Sequence, residues 1–262
     1  MRFATPGRRW RRRHKRRETQ SEWRGDPHAS TLVAGHSHRA AYVAAIGEQR
    51  TAGTAVLLPE AGASLDADAA YFRAACSAPV RVLAVVWTGN QHNRHFLFSL
   101  DEPFRLHDAG ESGTVVPAAM ISGLWEPYFA GMERNVRAVQ AEHTVLLGTP
   151  PPKADEEIRA GLRHEPRLLD ALTAAGESAD TIAITPAALR VGLWEIMQDD
   201  YEAWAARIGA VFVPVPASAR TADGCLKPEY SAGDSSHANG AFAALMLGEI
   251  EAALPPAGAS RQ

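Results

Sequence analysis

Two short polar motifs, far apart in the sequence, contain the residue types that activate a nucleophile. The first is Gly35-His36-Ser37-His38, in which a serine follows a short apolar run. The second is Asp234-Ser235-Ser236-His237, in which an acid precedes a histidine by three residues. On a turn, that spacing lets the carboxylate bond one imidazole nitrogen while the other nitrogen faces the nucleophile. The two motifs together predict a catalytic triad of Ser37, His237 and Asp234.

Two further loop residues have groups that could stabilise an oxyanion. Asn90, in Thr88-Gly89-Asn90-Gln91, follows the most apolar stretch of the chain, and its amide can donate a hydrogen bond. Gly62 can donate its backbone N–H, and so can Ser37 at the start of a helix. Each residue also has a simpler interpretation by itself, as a turn residue or, for Ser37, as a helix N-cap. Together they predict an oxyanion hole of Ser37, Gly62 and Asn90.

From residue 30 onward, apolar strand-like segments alternate with helical ones. We predict strands over residues 30–34, 54–59, 80–87, 143–148 and 211–215. We predict helices over residues 38–49, 65–76, 126–142, 187–208 and 238–254. The strand at 80–87 is apolar on both faces, which is typical of the middle of a parallel sheet. The pattern predicts a three-layer α/β/α sandwich with an open, mostly parallel five-stranded sheet, whose ligands bind beyond the carboxyl ends of the strands.

With these motifs in this order, the sequence resembles the SGNH hydrolase, or GDSL-type esterase, superfamily. Its four blocks map onto Gly35-His36-Ser37-His38, Gly62, Gly89-Asn90 and Asp234-Ser235-Ser236-His237. The resemblance implies a serine esterase or acylhydrolase that needs no cofactor and no metal. Its substrate is expected to be a small-molecule or carbohydrate ester, with O-acetyl or another small acyl group. The sequence departs from the family where His36 replaces an acid and where the usual Gly-x-Asn-Asp block reads Thr88-Gly89-Asn90-Gln91.

Three other interpretations remain open at this stage. A non-catalytic module with the same fold could bind a sugar or an acyl ligand without cleaving it. Gly35-His36-Ser37-His38 is also similar to the GHxH segment of metallophosphoesterases, although that segment comes near the end of those proteins and stands at residue 35 here. Finally, four histidines near the first and third loops could form a mononuclear metal site. These are His36, His38, His92 and His95.

The charge distribution divides the chain into three parts. Ten lysine and arginine residues lie among the first 24, against two acids, although the whole chain has a formal net charge of −3. We therefore expect residues 1–28 to form a disordered basic arm, able to bind anionic partners weakly, and residues 29–256 to form the hydrolase-like domain. Residues 257–262 are expected to be a flexible tail.

The sequence contains no apparent export signal. No apolar h-region follows the paired arginines, and no apolar run approaches the roughly 20 residues of a membrane span. The two cysteines, Cys76 and Cys225, do not form a CxxC pair, so a disulfide framework is not indicated. These features predict a cytoplasmic protein.

Overall fold

The fold is built on a six-stranded sheet flanked by helices. The computed structural model describes residues 23–25, 29–35, 37–48, 53–57, 80–86, 91–99, 104–106 and 114–254. The strands are β1 (Trp23–Gly25), β2 (Thr31–Gly35), β3 (Thr54–Leu57), β4 (Val80–Val86), β5 (Phe104–Arg105), β6 (Thr114–Val115), β7 (Ala141–Leu147) and β8 (Val211–Val213). The helices are α1 (Arg39–Gly47), α2 (Gln91–Phe96), α3 (Ala118–Ala138), α4 (Asp155–Leu162), α5 (Pro166–Ala174), α6 (Ala187–Ile208) and α7 (Gly240–Ala253).

The main sheet has the strand order β1-β3-β2-β4-β7-β8. The last five strands of that order are parallel to one another, and β1 pairs with β3 in the antiparallel sense. The crossovers from β2 to β3 and from β4 to β7 run in opposite directions across the sheet, so their helices cover opposite faces. The predicted α/β sandwich with five parallel strands is confirmed, and all five of those strands were predicted.

The core lies on both faces of the central strands. Every residue of β2 is buried, and β4 is buried along its length except for the partly exposed Arg81. Helices α1 and α7 pack together on one face, while α3 and α6 pack together on the other. In the second pair, the Phe129 ring stacks on Trp204 with 5.3 Å between centroids. A parallel sheet covered on both faces explains why these strands are almost continuously apolar.

Several elements differ from the expectations. Strand β1 lies within residues 1–28, so the predicted disordered arm is wrong for Trp23–Gly25; residues 1–22 and 255–262 lie outside the described part. Helix α6 has the predicted bounds, but α3 begins eight residues before the predicted start at Glu126. The sequence analysis missed α4 and α5, which are only eight and nine residues long and give a pattern of little more than two turns each. The predicted helix at 65–76 falls outside the described residues.

None of the helices described above combines the length and the apolar composition that crossing a bilayer requires.

Candidate active site

Ser37 lies in the tight connection between β2 and α1, at the carboxyl end of the sheet. Strand β2 ends at Gly35 and α1 begins at Arg39, with His38 in the N-cap position. The Ser37 carbonyl accepts a 3.0 Å hydrogen bond from the N–H of Ala40. Ser37 thus lies one residue before the N-cap residue of α1. Its side chain is half-buried at a helix start, where positive dipole charge accumulates.

This connection depends on a close approach between two strands. Gly35 has a φ of +153°, and a Cβ on it would lie 1.9 Å from the carbonyl oxygen of Val86 in β4. No larger residue fits there without moving the backbone of one strand. The Arg39 guanidinium also donates a 3.0 Å hydrogen bond back to the Gly35 carbonyl. These contacts fix the end of β2 from which Ser37 projects.

Asp234 and His237 form the hydrogen-bonded pair that their spacing predicts. The imidazole Nδ1 lies 2.7 Å from Oδ2 of Asp234. The other carboxylate oxygen, Oδ1, accepts hydrogen bonds from the backbone N–H groups of Ser236 at 2.9 Å and His237 at 2.7 Å. One carboxylate thus holds both the backbone of the turn and the orientation of the imidazole ring. We call residues 232–237 the Asp-His turn.

The electrostatics of this pair favour an ionised carboxylate. Burial by itself raises the pKa of Asp234. The hydrogen bond from the His237 side chain and the charge of His237 lower this pKa, and the two backbone N–H donors lower it further. The net result is a pKa well below the ordinary value of an aspartate. A carboxylate bound at Nδ1 favours the tautomer in which Nδ1 carries the proton, which leaves a lone pair on Nε2.

The free nitrogen of His237 is the one that a general base would use. Among the described residues, no group hydrogen-bonds to His237 Nε2, although this atom is buried. Buried polar atoms in folded proteins normally have a partner. Nε2 therefore has a lone pair and unused hydrogen-bonding capacity, which a general base requires.

The Asp-His turn and the Ser37 connection lie beside each other at this edge of the sheet. The rings of His38 and His237 have centroids 5.0 Å apart, at an interplanar angle of 56°. Just after the turn, Gly240 packs on α1 so closely that a Cβ on it would lie 3.1 Å from the Ala45 nitrogen. The structure thus brings Ser37, Asp234 and His237 into one region. The predicted oxyanion donors Gly62 and Asn90 lie outside the described residues, as does His36.

Helix α4 and Glu165, the N-cap residue of α5, both contact the Asp-His turn. A Cβ on Gly161 would lie 2.2 Å from the carbonyl carbon of Asp234, so the helix passes the turn with no space between them. The Glu165 carboxylate accepts a 2.8 Å hydrogen bond from the N–H of Ser235. Sequence analysis missed both residues. The one available signal was a glycine within a helical segment, which usually needs a packing reason.

Lys153, which follows β7, contacts the same turn from another direction. Its side chain is about 1% exposed, and its Nζ donates hydrogen bonds to the carbonyls of Ala232 at 2.7 Å and Asp234 at 2.6 Å. The ammonium also lies 3.7 Å from the Asp234 carboxylate. Burial lowers the pKa of Lys153, and the charge of Asp234 opposes that effect. Nothing in the local sequence, three prolines followed by a lysine, indicated this contact.

The histidine-metal interpretation has no support in the described part of the chain. There, no three histidine, cysteine, aspartate or glutamate side chains cluster as metal ligands do. His92 is buried in α2, whereas His95 is exposed on the same helix.

Comparisons with known proteins give structural similarity alone. Neither a family model nor a curated protein matches the sequence. The chain is similar to a solved structure from Streptococcus pneumonia, provisionally described as a platelet activating factor, with 14% identity over 86% of this chain and 83% of that one and a TM-score of 0.50. Other similar structures are a provisionally assigned SGNH hydrolase from Slackia heliotrinireducens (19% identity, 84% and 97% coverage, TM-score 0.40) and phospholipase A1 from Streptomyces albidoflavus NA297 (13%, 86% and 98%, TM-score 0.42). With the strand order described above, the first similarity shows that the two chains share an α/β fold.

Proposed function

We propose that the protein is a serine hydrolase that cleaves carboxylic esters through Ser37, His237 and Asp234. The observation that carries the proposal is the orientation of His237. Its Nδ1 is held by Asp234 at 2.7 Å, and its buried Nε2 has no hydrogen-bond partner among the described residues. Its ring lies 5.0 Å from that of His38, the residue after Ser37. A base with this geometry next to a loop serine is the arrangement that activates a hydroxyl.

In the proposed mechanism, His237 Nε2 removes the proton from the Ser37 hydroxyl as its oxygen attacks the ester carbonyl. The resulting oxyanion is stabilised by the N–H groups of Ser37 and Gly62 and by the amide of Asn90. His237 then gives its proton to the leaving alkoxide, and an acyl-enzyme remains on Ser37. Water, deprotonated by the same imidazole, hydrolyses the acyl-enzyme and restores the serine. Throughout the cycle the ionised Asp234 stabilises the imidazolium.

Labelling with a fluorophosphonate probe tests this proposal directly. We expect the probe to modify Ser37, and Ser37→Ala to abolish both labelling and turnover of a p-nitrophenyl ester. Ser236→Ala is the matched control, since the Ser236 hydroxyl lies 3.4 Å from Nδ1, the nitrogen already bound to Asp234. This variant should retain labelling and turnover. If the wild type neither labels at Ser37 nor cleaves esters, the proposal fails and a binding module with the same fold takes its place.

The assigned oxyanion hole makes a separate prediction. Removing one preorganised donor typically lowers kcat by about 10²- to 10³-fold. Asn90→Ala should therefore slow ester turnover by that factor while the melting temperature stays close to that of the wild type. If Asn90→Ala keeps near-full activity, Asn90 is a turn residue and its assignment is wrong.

A further inference from the structure

The most unusual group near the proposed triad is the buried ammonium of Lys153. Lysine is rarely buried so completely, because moving its charge out of water is costly unless other groups compensate. Here its Nζ binds two carbonyls of the Asp-His turn, those of Ala232 and Asp234, on both sides of Gly233. The side chain thus fixes the backbone at the point where the turn begins.

Lys153 is itself held rigidly. The Arg190 guanidinium, which is also buried, donates a 2.6 Å hydrogen bond to the Lys153 carbonyl and pairs with the carboxylate of Asp155. The backbone of Lys153 is therefore attached to α6 and to the start of α4. Lys153 therefore connects the turn to the packed core, because Arg190 holds its backbone and the carbonyls of the turn hold its side chain.

We propose that Lys153 is a positioning residue that holds the Asp-His turn in its catalytic geometry and balances the charge of Asp234. Its ammonium acts through Asp234 and His237 and does not touch the substrate. An apolar side chain in the same space could fill the core but would leave the two carbonyls without a donor. The proposal depends on the proposed ester hydrolysis for its kinetic test, but its structural test does not.

The kinetic test is a double-mutant cycle between Lys153→Met and His237→Ala. Small displacements of a catalytic group can cost about 10²-fold in rate. We expect Lys153→Met to lower kcat by roughly 10- to 100-fold with KM nearly unchanged, and to change the residual activity in the His237→Ala background by less than about threefold. Lys227→Met is the matched control, since Lys227 follows Leu226, whose N–H bonds the carbonyl of Pro152, and its own backbone bond to the Ala219 carbonyl can persist.

The structural test measures the proton that His237 Nδ1 shares with Asp234. A short hydrogen bond to a carboxylate gives a downfield proton NMR resonance, which His237→Ala identifies by its loss. In Lys153→Met this resonance should weaken or shift, and in Lys227→Met it should not. The signal depends on the geometry of the turn alone, so it is informative even if the wild type cleaves no ester.

Two results would overturn the proposal. One is an unchanged His237 resonance in Lys153→Met; the other is a rate loss that persists in full in the His237→Ala background. If the methionine variant does not fold, Lys153→Gln, which keeps N–H donors without the charge, is used in the same cycle and the same NMR measurement. A glutamine variant with wild-type kcat and an unchanged resonance would overturn the part of the proposal in which the charge of Lys153 balances that of Asp234.

Discussion

Replacing Gly161 with alanine is expected to move the Asp-His turn and to slow the proposed reaction. A Cβ at this position would lie 2.2 Å from the carbonyl carbon of Asp234 and 2.4 Å from the Ser235 nitrogen. Ordinary van der Waals contact begins at about 3.4 Å, so helix α4 and the turn must separate by roughly 1.2 Å. Both sides of the contact are backbone, and no side chain can rotate away.

Two opposing effects determine the stability of Gly161→Ala. Overpacking costs about 1–3 kcal/mol, while alanine in place of glycine within a helix gains about 1 kcal/mol. We therefore expect the free energy of unfolding to fall by at most about 2 kcal/mol. The rate should change far more, because a displacement of about 1 Å at a catalytic group can cost about 10²-fold.

The assay compares kcat for a p-nitrophenyl ester and the thermal unfolding of Gly161→Ala with those of Gly248→Ala. Gly248 lies in α7, and a Cβ there would meet nothing within 4 Å. The control should keep wild-type kcat and gain up to about 1 kcal/mol of stability. If Gly161→Ala shows the same kcat and stability as Gly248→Ala, the close contact between α4 and the turn does not position His237, and the reasoning is wrong.

Three further predictions concern stability. The pKa of Asp234 is lower in the folded state than in the unfolded state, so its ionised carboxylate stabilises the fold above the unfolded pKa near 3.9. This stabilisation is lost as the pH falls through the lower folded value. Asp234→Asn should therefore flatten the dependence of the unfolding free energy on pH between about pH 5 and 2. Deleting residues 1–28 removes β1 and should cost about 1–3 kcal/mol in chemical denaturation, whereas deleting residues 1–22 should cost little. Asn239→Ala, which loses the α7 cap bonds to the N–H groups of residues 241 and 242, should lower the unfolding free energy by about 1–2 kcal/mol in the same measurement.

Some features of this protein follow from short stretches of sequence. The five parallel strands were predictable because each contains a run of apolar residues, and in β2 and β4 burial of both faces imposes that composition locally. The pair of Asp234 and His237 was predictable for a similar reason. A carboxylate three residues before an imidazole on a turn reaches it through local geometry alone. The order of the motifs then placed the serine and this pair at one edge of the sheet.

Other features were decided by the tertiary structure. Lys153 contacts the Asp-His turn across 79 and 81 residues of sequence, and no local pattern encodes which carbonyls its ammonium meets. Position 161 has no room for a side chain because the backbone of a turn more than 70 residues later packs against it. The need for glycine there depends on how α4 packs. Strand β1 is only three residues long, too short to show the alternation of apolar and polar residues that predicts a strand. It forms because the open edge of β3 pairs with it. Contacts between distant segments depend on the packing of whole elements, and residue spacing does not specify that packing.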